Sequence, residues 1–146
     1  MPIIKYFLLY FSNLLVFLAI DFIWLSLIAQ KFYQQQIGFL LTTKPNYLAA
    51  AIFYLAFVFA SLFLVSFPLA SAPVSQLILH AAVFGFITYT TYDLTNLATI
   101  KDWPLIVTVV DIAWGTLIGI ITGLAGRFFI NLFLKWLWKI LIFPSC

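Results

Sequence analysis

Apolar residues fill almost the whole chain, and polar residues interrupt them at only a few places. A helix needs about 20 predominantly apolar residues to cross a bilayer, and four stretches reach that length: residues 4–29, 45–67, 73–99 and 104–126. Short connections between consecutive helices make neighbours antiparallel. The pattern therefore predicts an all-α integral membrane protein, built as an antiparallel bundle of four transmembrane helices.

The segment after Gly126 does not fit a fifth span. Residues 128–143 are too few, and polar, mostly basic residues recur along the segment at every fourth position. A basic stripe on an apolar helix with tryptophans is typical of a helix that lies at the level of the lipid headgroups. We therefore divide the chain into a four-helix transmembrane domain, residues 1–126, and a basic, tryptophan-rich interfacial tail, residues 127–146. A continuation of the fourth helix is the alternative. The residues expected at the membrane interface are Trp103, Arg127, Lys135, Trp136, Trp138 and Lys139.

The composition supports a membrane protein and excludes several other classes. Hydrophobic residues make up 66% of the chain and charged residues only 8%, whereas a soluble domain carries about 25% charged residues. The net charge of +3 is too small to indicate a nucleic-acid partner, so the expected partner is the lipid bilayer. The single cysteine is the last residue, which leaves no internal disulfide.

The distribution of basic residues predicts the orientation. Four spans put both ends of the chain on one side of the membrane. That side carries Lys5, Arg127, Lys135 and Lys139, and the other carries Lys31, Lys44 and Lys101. Because cytoplasmic segments are enriched in Lys and Arg, we expect cytoplasmic N- and C-termini.

Three acidic residues fall within the predicted spans: Asp21, Asp93 and Asp111. The only Lys or Arg within a predicted span is Lys5, sixteen residues before Asp21 at the far end of the first span. Each acid costs about 2.5–3.5 kcal/mol near a helix centre, so such residues usually mark a pathway or a site. Counted from the predicted helix ends, all three lie roughly 10–12 Å below the outer surface. Burial without a basic partner favours the neutral acid, so we expect at least one carboxyl to be protonated at pH 7.

Two of these acids belong to a repeated motif, "AIDFIW" in the first span and "VVDIAW" in the fourth. Each places Trp three residues after Asp, so both side chains share a helix face. Asp93 lies in "TYTTYDLTNLAT", a stretch too polar to face lipid, so we expect protein or a wet cavity around it. We therefore expect the three carboxyls to converge on one cavity. Its ligand-binding set is Asp21, Trp24, Tyr89, Tyr92, Asp93, Asn96, Asp111 and Trp114.

Such a cavity suits a cation, because carboxylates supply charge and indole faces supply cation–π attraction, and it also suits proton exchange. The alternative is structural, since protonated Asp residues hydrogen-bond across helices and hold a bundle together. No metal site is expected, because the only histidine, His80, lies roughly 20 Å from Asp93 along the same helix. The sequence contains no phosphate-binding glycine loop and no catalytic triad, so no cofactor is predicted and no catalytic residue is assigned.

Glycines define the expected contact face of the fourth helix. Gly115, Gly119 and Gly123 recur at every fourth position, a spacing that lets another helix approach closely. The second helix carries no acidic or basic residue and is expected to face lipid. Four helices form a thin wall, so a homodimer would serve to enclose a path.

The chain resembles a family of small four-helix bacterial inner-membrane proteins that is known only as a domain of unknown function. The resemblance lies in "AIDFIW", "YTTYDLTNLATIKDWP" and "VDIAWG" and covers roughly residues 1–126. It implies four spans in a bacterial inner membrane, and it supplies no activity, substrate or catalytic residue.

Three functions therefore stay open. The first is binding or translocation of a cation or a protonatable small solute through the Asp/Trp/Tyr pocket. The second is a membrane enzyme that acts on a lipid or an isoprenoid, with an Asp pair as acid and base. The third is a structural accessory subunit that packs against a larger membrane complex through the glycine face.

Overall fold

The computed structural model describes residues 2–136, with side chains for residues 3–133. Four helices are long and apolar enough to cross a membrane: Ile3–Ile37, Tyr47–Ser66, Val74–Thr99 and Leu105–Phe133. No strand occurs in this part of the chain. The predicted all-α membrane fold with four spans is therefore confirmed, and we call these spans the first to the fourth helix.

The first helix is longer than the sequence predicted. It consists of an α-helix over Pro2–Ile23, a π-helical stretch over Trp24–Ala29 and a second α-helix over Gln30–Ile37. The prediction ended it at Ala29 because polar residues follow. Most of those polar side chains are exposed, whereas Phe32, Tyr33 and Ile37 pack against residues at the ends of the third and fourth helices. The apolar face therefore continues for two more turns under a polar surface.

The other helices begin close to their predicted starts. The second is an α-helix over Tyr47–Ser61 and a π-helical stretch over Leu62–Ser66, the third covers Val74–Thr99, and the fourth is an α-helix over Leu105–Phe129 and a π-helical stretch over Ile130–Trp136. The Asn46 side chain caps the second helix by accepting a 3.0 Å hydrogen bond from the Ala49 N–H. Pro73 and Pro104 precede the third and fourth helices directly, where a missing N–H group leaves no helical bond unmade.

The fourth helix runs past Gly126 without a break as far as Trp136. The expected boundary between the domain and the tail therefore lies inside a helix, and residues 137–146 fall outside the described residues. Arg127 is half-buried, and its Nη1 donates a 2.7 Å hydrogen bond to the Ala72 carbonyl. An interfacial tail stays a prediction. Its expected residues Lys135, Trp136, Trp138 and Lys139 have side chains outside the described part of the chain.

The bundle has two ends, because consecutive helices run in opposite directions. The terminal end holds the N-terminus and the connection over residues 67–73. The loop end holds the connections over residues 38–46 and 100–104.

The third and fourth helices make the most extensive contact in the bundle, and glycines bring their backbones together. A Cβ atom on Gly85 would lie 2.1 Å from the Gly115 carbonyl oxygen, and one on Gly119 would lie 2.6 Å from the Ala81 carbonyl oxygen. A Cβ on Gly123 would lie 2.8 Å from the Ala81 Cβ. The glycine face of the fourth helix is thus occupied within the chain, by the third helix.

An aromatic layer fills the middle of the bundle. Phe17 of the first helix and Phe57 of the second have ring centroids 4.9 Å apart, and Phe57 meets Phe84 of the third at 5.1 Å. Ile118 of the fourth helix is fully buried in the same cluster. All four helices therefore contribute to one apolar layer on the terminal side of the acidic residues.

Close contact between the second and third helices is concentrated at the terminal end, where Leu62–Ser66 lies against the third helix. Toward the loop end, Tyr47–Ser61 packs mainly on the first and fourth helices. A gap therefore opens between the second and third helices in the half of the bundle that carries the acids.

Trp103 lies at the loop end but does not form a lipid-facing belt. Its side chain is 9% exposed, packs with Ile37 and Val107, and donates through Nε1 to the Thr108 hydroxyl at 3.1 Å. The expected membrane-interface placement of this side chain is therefore corrected. The extended first helix covers the indole, and Thr108 supplies a hydrogen-bond acceptor inside the protein.

Candidate functional site

Asp21 is the best connected of the three acids. Its side chain is buried, and its two carboxyl oxygens accept hydrogen bonds from the Tyr54 hydroxyl at 2.9 Å and from the Trp114 indole Nε1 at 3.3 Å. Tyr54 belongs to the second helix and Trp114 to the fourth. One carboxyl of the first helix is thus bonded to two other helices at one level.

A hydrogen bond and a ring contact connect the two copies of the repeated motif. The sequence suggested that each tryptophan borders the aspartate three residues before it, but Trp114 donates to Asp21 of the other copy. The two indoles stack face to face, with ring centroids 4.4 Å apart and planes at 7°. The stacked indoles of Trp24 and Trp114 therefore connect the two copies of the motif, and Asp21 is bonded to the tryptophan of the other copy.

Asp111 is bonded from an unexpected direction. The Tyr33 hydroxyl, on the extension of the first helix, donates a hydrogen bond to Asp111 Oδ1. The Trp24 indole nitrogen is buried near this hydroxyl, without a hydrogen bond of regular geometry to any described residue. Asp111 is thus tied to the first helix through Tyr33.

The π-helical stretch explains how Tyr33 reaches this place. An α-helix turns about 100° per residue, so twelve residues of regular helix would point Tyr33 about 120° away from Asp21. The stretch over Trp24–Ala29 accommodates roughly one extra residue, which takes back about 100° of that rotation. Tyr33 and Asp21 then face nearly the same side of the first helix.

Asp93 is fully buried, and neither of its carboxyl oxygens has a hydrogen-bond partner among the described residues. It lies six residues before the end of the third helix, and Asp111 lies six residues after the start of the fourth, about 9 Å from those helix ends in both cases. The two carboxyls are close enough to interact electrostatically. A buried polar group without a partner is costly, so Asp93 is the least satisfied group of the site.

Tyr89 lies at the centre of the acidic residues. Its hydroxyl is within electrostatic range of all three carboxyls, those of Asp21, Asp93 and Asp111. The ring packs on the backbone of the fourth helix, since a Cβ on Gly115 would lie 2.1 Å from Tyr89 Cγ. Gly115 therefore leaves the space that Tyr89 occupies between the acids.

Two adjacent cavities flank Tyr89, where the sequence suggested one. The smaller, about 190 Å³, is lined by Asp21, Trp24, Leu25, Tyr33, Ala50, Phe53, Tyr54, Tyr89 and Trp114. The larger, about 360 Å³, is lined by Phe53, Thr88, Tyr89, Tyr92 and Asp111. Asp93 and Asn96 line neither, and Asn96 is half-buried. The expected common cavity is thus corrected, because the rings of Tyr89 and Phe53 form a wall shared by two cavities.

The polar stretch of the third helix does not have to be enclosed by protein. Thr91, Thr95 and Thr99 are exposed, and each hydroxyl donates to the carbonyl four residues earlier, at 2.6–2.8 Å. A threonine bonded in this way to its own helix presents no unpaired donor to lipid. The expectation is therefore corrected for these exposed threonines, while Tyr89, the Thr90 hydroxyl and Asp93 of the same stretch lie inside the protein.

Two residues of the site were not expected from the sequence: Tyr33 and Tyr54. The predicted first span ends at residue 29, before Tyr33, and the second helix is predicted to face lipid because it lacks acidic and basic residues. A tyrosine in a span next to an unpaired acid elsewhere was the available signal, since buried phenols usually find a hydrogen-bond partner.

Among the described residues, no three His, Cys, Asp or Glu side chains are close enough to hold a metal ion together. His80 is exposed, and its Nδ1–H donates to the Gln76 carbonyl at 2.9 Å, four residues earlier on the same helix. It takes no part in the site, as its spacing from Asp93 had indicated.

A second polar layer lies on the terminal side of the aromatic layer. Asn13 of the first helix and Ser61 of the second are fully buried, and their side chains have no hydrogen-bond partner among the described residues. Asn13 precedes Asp21 by eight residues, about 12 Å along the helix. Thr122 of the fourth helix is also buried, and its hydroxyl donates to the Ile118 carbonyl at 2.7 Å.

Comparison with known proteins places the site within a family. A family model described as "Predicted membrane protein (DUF2177)" matches residues 6–128, which include all three acids. No curated protein and no solved structure matches the chain. The resemblance to a domain of unknown function, first seen in the motifs, is therefore confirmed.

Proposed function

The chain belongs to this family of predicted membrane proteins. From that premise we propose that it binds or translocates a cation or a protonatable small solute in the region formed by Asp21, Asp93 and Asp111 and the aromatic side chains around them. Three buried acids without a Lys or Arg partner among the groups that act on them are the feature that such a ligand would complete. The accessory-subunit hypothesis has less support, because the third helix already occupies the glycine face.

The observation that carries the proposal is Asp93. Structural acids in a membrane bundle would be expected to hydrogen-bond across helices, as Asp21 does with Tyr54 and Trp114. Asp93 is fully buried and has no such bond among the described residues. A proton or a bound cation lowers the cost of this carboxyl, whereas a group that only holds helices together would make the hydrogen bond across helices that Asp93 lacks.

The surroundings of the acids favour a positive ligand. The groups that act on the three carboxyls are tyrosine, tryptophan and aspartate side chains, with no Lys or Arg among the described ones. The stacked indoles and the Tyr89 ring border this space, and aromatic faces attract cations. Acids and aromatic rings together favour a cation, and no Lys or Arg among the groups that act on the acids competes with it for them.

The same proposal includes an orientation. Basic residues favour a cytoplasmic terminal end, so the acids lie in the half of the membrane that faces away from the cytoplasm. The family resemblance suggests a bacterial inner membrane, and a homodimer would enclose a complete path. Both remain part of the proposal.

A thermal-shift titration in lipid nanodiscs tests the function. Na⁺, K⁺, tetramethylammonium and methylammonium are titrated at several pH values against the wild type and Asp93→Asn. A ligand at about 100 times its Kd stabilises the fold by about 2.7 kcal/mol, and this stabilisation should be lost in Asp93→Asn. Asp102→Asn, at an exposed position in the connection over residues 100–104, is the matched control. Stabilisation that is equal in all three proteins, or absent from all, would contradict the proposal.

A membrane enzyme acting on a lipid or an isoprenoid is the second candidate. It is favoured by the apolar walls of the larger cavity, with Asp111 as its only acid. Chemical change of a lipid by the purified wild type, and not by Asp111→Asn, would support it over a binding function. Mass spectrometry of co-purified and incubated lipids provides that measurement.

A further inference from the structure

The larger cavity is lined by residues of the second, third and fourth helices. Its walls are Phe53 from the second helix and Thr88, Tyr89 and Tyr92 from the third, with Asp111 of the fourth at its base. Phe53 is 40% exposed and Tyr92 is 59% exposed, although both lie within spans. The gap between the second and third helices toward the loop end therefore forms a lateral opening, bounded by these two side chains.

The approach to Asp111 from the loop end is covered. Tyr33 of the extended first helix donates directly to Asp111, and Ile37 packs beside it with Trp103 and Val107. These side chains lie between the carboxyl and the water at the loop end. The lateral opening is thus the less obstructed way into this cavity.

The two parts of the cavity differ in chemistry. The walls are aromatic and apolar, and the base carries a carboxyl with Asp93 within electrostatic range. A volume of about 360 Å³ is at the lower end of ligand pockets, which span about 300–1,000 Å³. It accommodates a polar headgroup and a few methylenes, while the rest of a longer chain stays among the lipid tails.

We propose that the ligand is an amphipathic amine, which enters from the lipid between the second and third helices and places its ammonium group at Asp111. This inference rests on the proposed function and narrows its ligand class. The ammonium group matches the acids, and the alkyl chain matches the apolar walls and the opening to lipid. A small hydrated cation would use only the base of the cavity.

The test is a tryptophan-fluorescence titration of the protein in nanodiscs with butylamine, octylamine, dodecylamine and dodecanol, corrected with empty nanodiscs. Each methylene transferred from water to an apolar environment contributes about 0.8 kcal/mol, about fourfold in affinity. Total affinity should therefore rise about fourfold per methylene along the amines, because an open cleft leaves the chain unobstructed. Dodecanol, which has no charge, should not compete with dodecylamine.

Substitutions inside and outside the cavity lining distinguish entry through the lateral opening from a general effect on the protein. Thr88→Phe places a ring in the cleft and should weaken dodecylamine binding at least tenfold, and Thr88→Leu should act in the same direction if the larger variant folds poorly. Thr91→Phe is the matched control, because Thr91 makes the same bond to its own helix but does not line the cavity. It should leave binding unchanged. Asp111→Asn should abolish it.

Each outcome bears on a different claim. If butylamine and tetramethylammonium bind in an Asp111-dependent way while affinity falls with chain length, the proposed function stands and the lateral route is wrong. If dodecanol competes as well as dodecylamine, the amine is not recognised and the inference is overturned. If no amine or inorganic cation binds in an Asp-dependent way, the inference and the proposed function fail together.

Discussion

Substituting Gly119 should separate the third and fourth helices and destabilise the fold. A Cβ at this position would lie 2.6 Å from the Ala81 carbonyl oxygen and 2.9 Å from the Gly85 Cα. Both are backbone atoms, which cannot rotate out of the way as the end of a side chain can. Restoring an ordinary contact of 3.4 Å moves the helices apart by roughly 0.8 Å at this point.

The magnitude follows from that displacement. A gap of about 0.5–1 Å already forfeits a quarter to a half of the dispersion attraction between facing atoms, and overpacked sites typically cost about 1–3 kcal/mol. Alanine gains up to about 1 kcal/mol over glycine in helix propensity, so Gly119→Ala should show a smaller loss than Gly119→Leu. For a chain of this size, each kcal/mol corresponds to about 2–4 °C in the unfolding midpoint.

Thermal unfolding in nanodiscs, followed by tryptophan fluorescence, measures the effect. We expect the midpoint to decrease in the order wild type, Gly119→Ala, Gly119→Leu, with the last lower by about 2–12 °C. Ala113→Leu, at an exposed position of the same helix, is the control for adding leucine without a clash. If Gly119→Leu melts with the wild type and with this control, the two backbones are not in contact.

Three further predictions concern the site and the topology. Tyr33→Phe removes the donor to Asp111 and should lower the free energy of unfolding by about 1–3 kcal/mol, whereas Tyr47→Phe, at a position 79% exposed, should be silent; equal midpoints for the two variants would exclude the bond to Asp111. Asn13→Leu replaces an unpartnered buried amide with an apolar group of similar size and should leave the midpoint unchanged or raise it; a clear decrease would mean that Asn13 binds a partner. A reporter protein that works only in the cytoplasm should be active when it is fused after Cys146. Activity of a fused reporter that works only in the periplasm would reverse the proposed orientation.

The depth of the acids could be predicted from the sequence, because helix length and rise are fixed by geometry. Counting residues from the predicted ends placed Asp93 and Asp111 at one level, and the structure has each six residues from a helix end. The four spans followed from length and hydropathy alone. These features depend on local chain geometry and not on which side chains meet.

The partners of the acids could not be predicted in the same way. Tyr33 reaches Asp111 only because a π-helical stretch rotates the first helix, and no residue in that stretch signals the extra residue per turn. The exchange of Trp114 to Asp21 depends on the relative positions of the helices. The prediction that protein or water surrounds the exposed threonines was wrong, because hydrogen bonds to their own helix make these side chains compatible with lipid.

The glycine contact between the third and fourth helices also affects how the chain enters the membrane. The mean hydropathy of the third helix is 1.3, against 2.1–2.6 for the others, and it carries an acid that costs about 2.5–3.5 kcal/mol on insertion by itself. The connection to the fourth helix is short, so both helices can leave the insertion machinery as one hairpin with Asp93 turned toward its neighbour. Insertion of the third helix, which is the least apolar of the four, then depends on its close packing against the fourth helix. A larger side chain at Gly85 would therefore lower the amount of protein that reaches the bilayer, in addition to destabilising the protein that does.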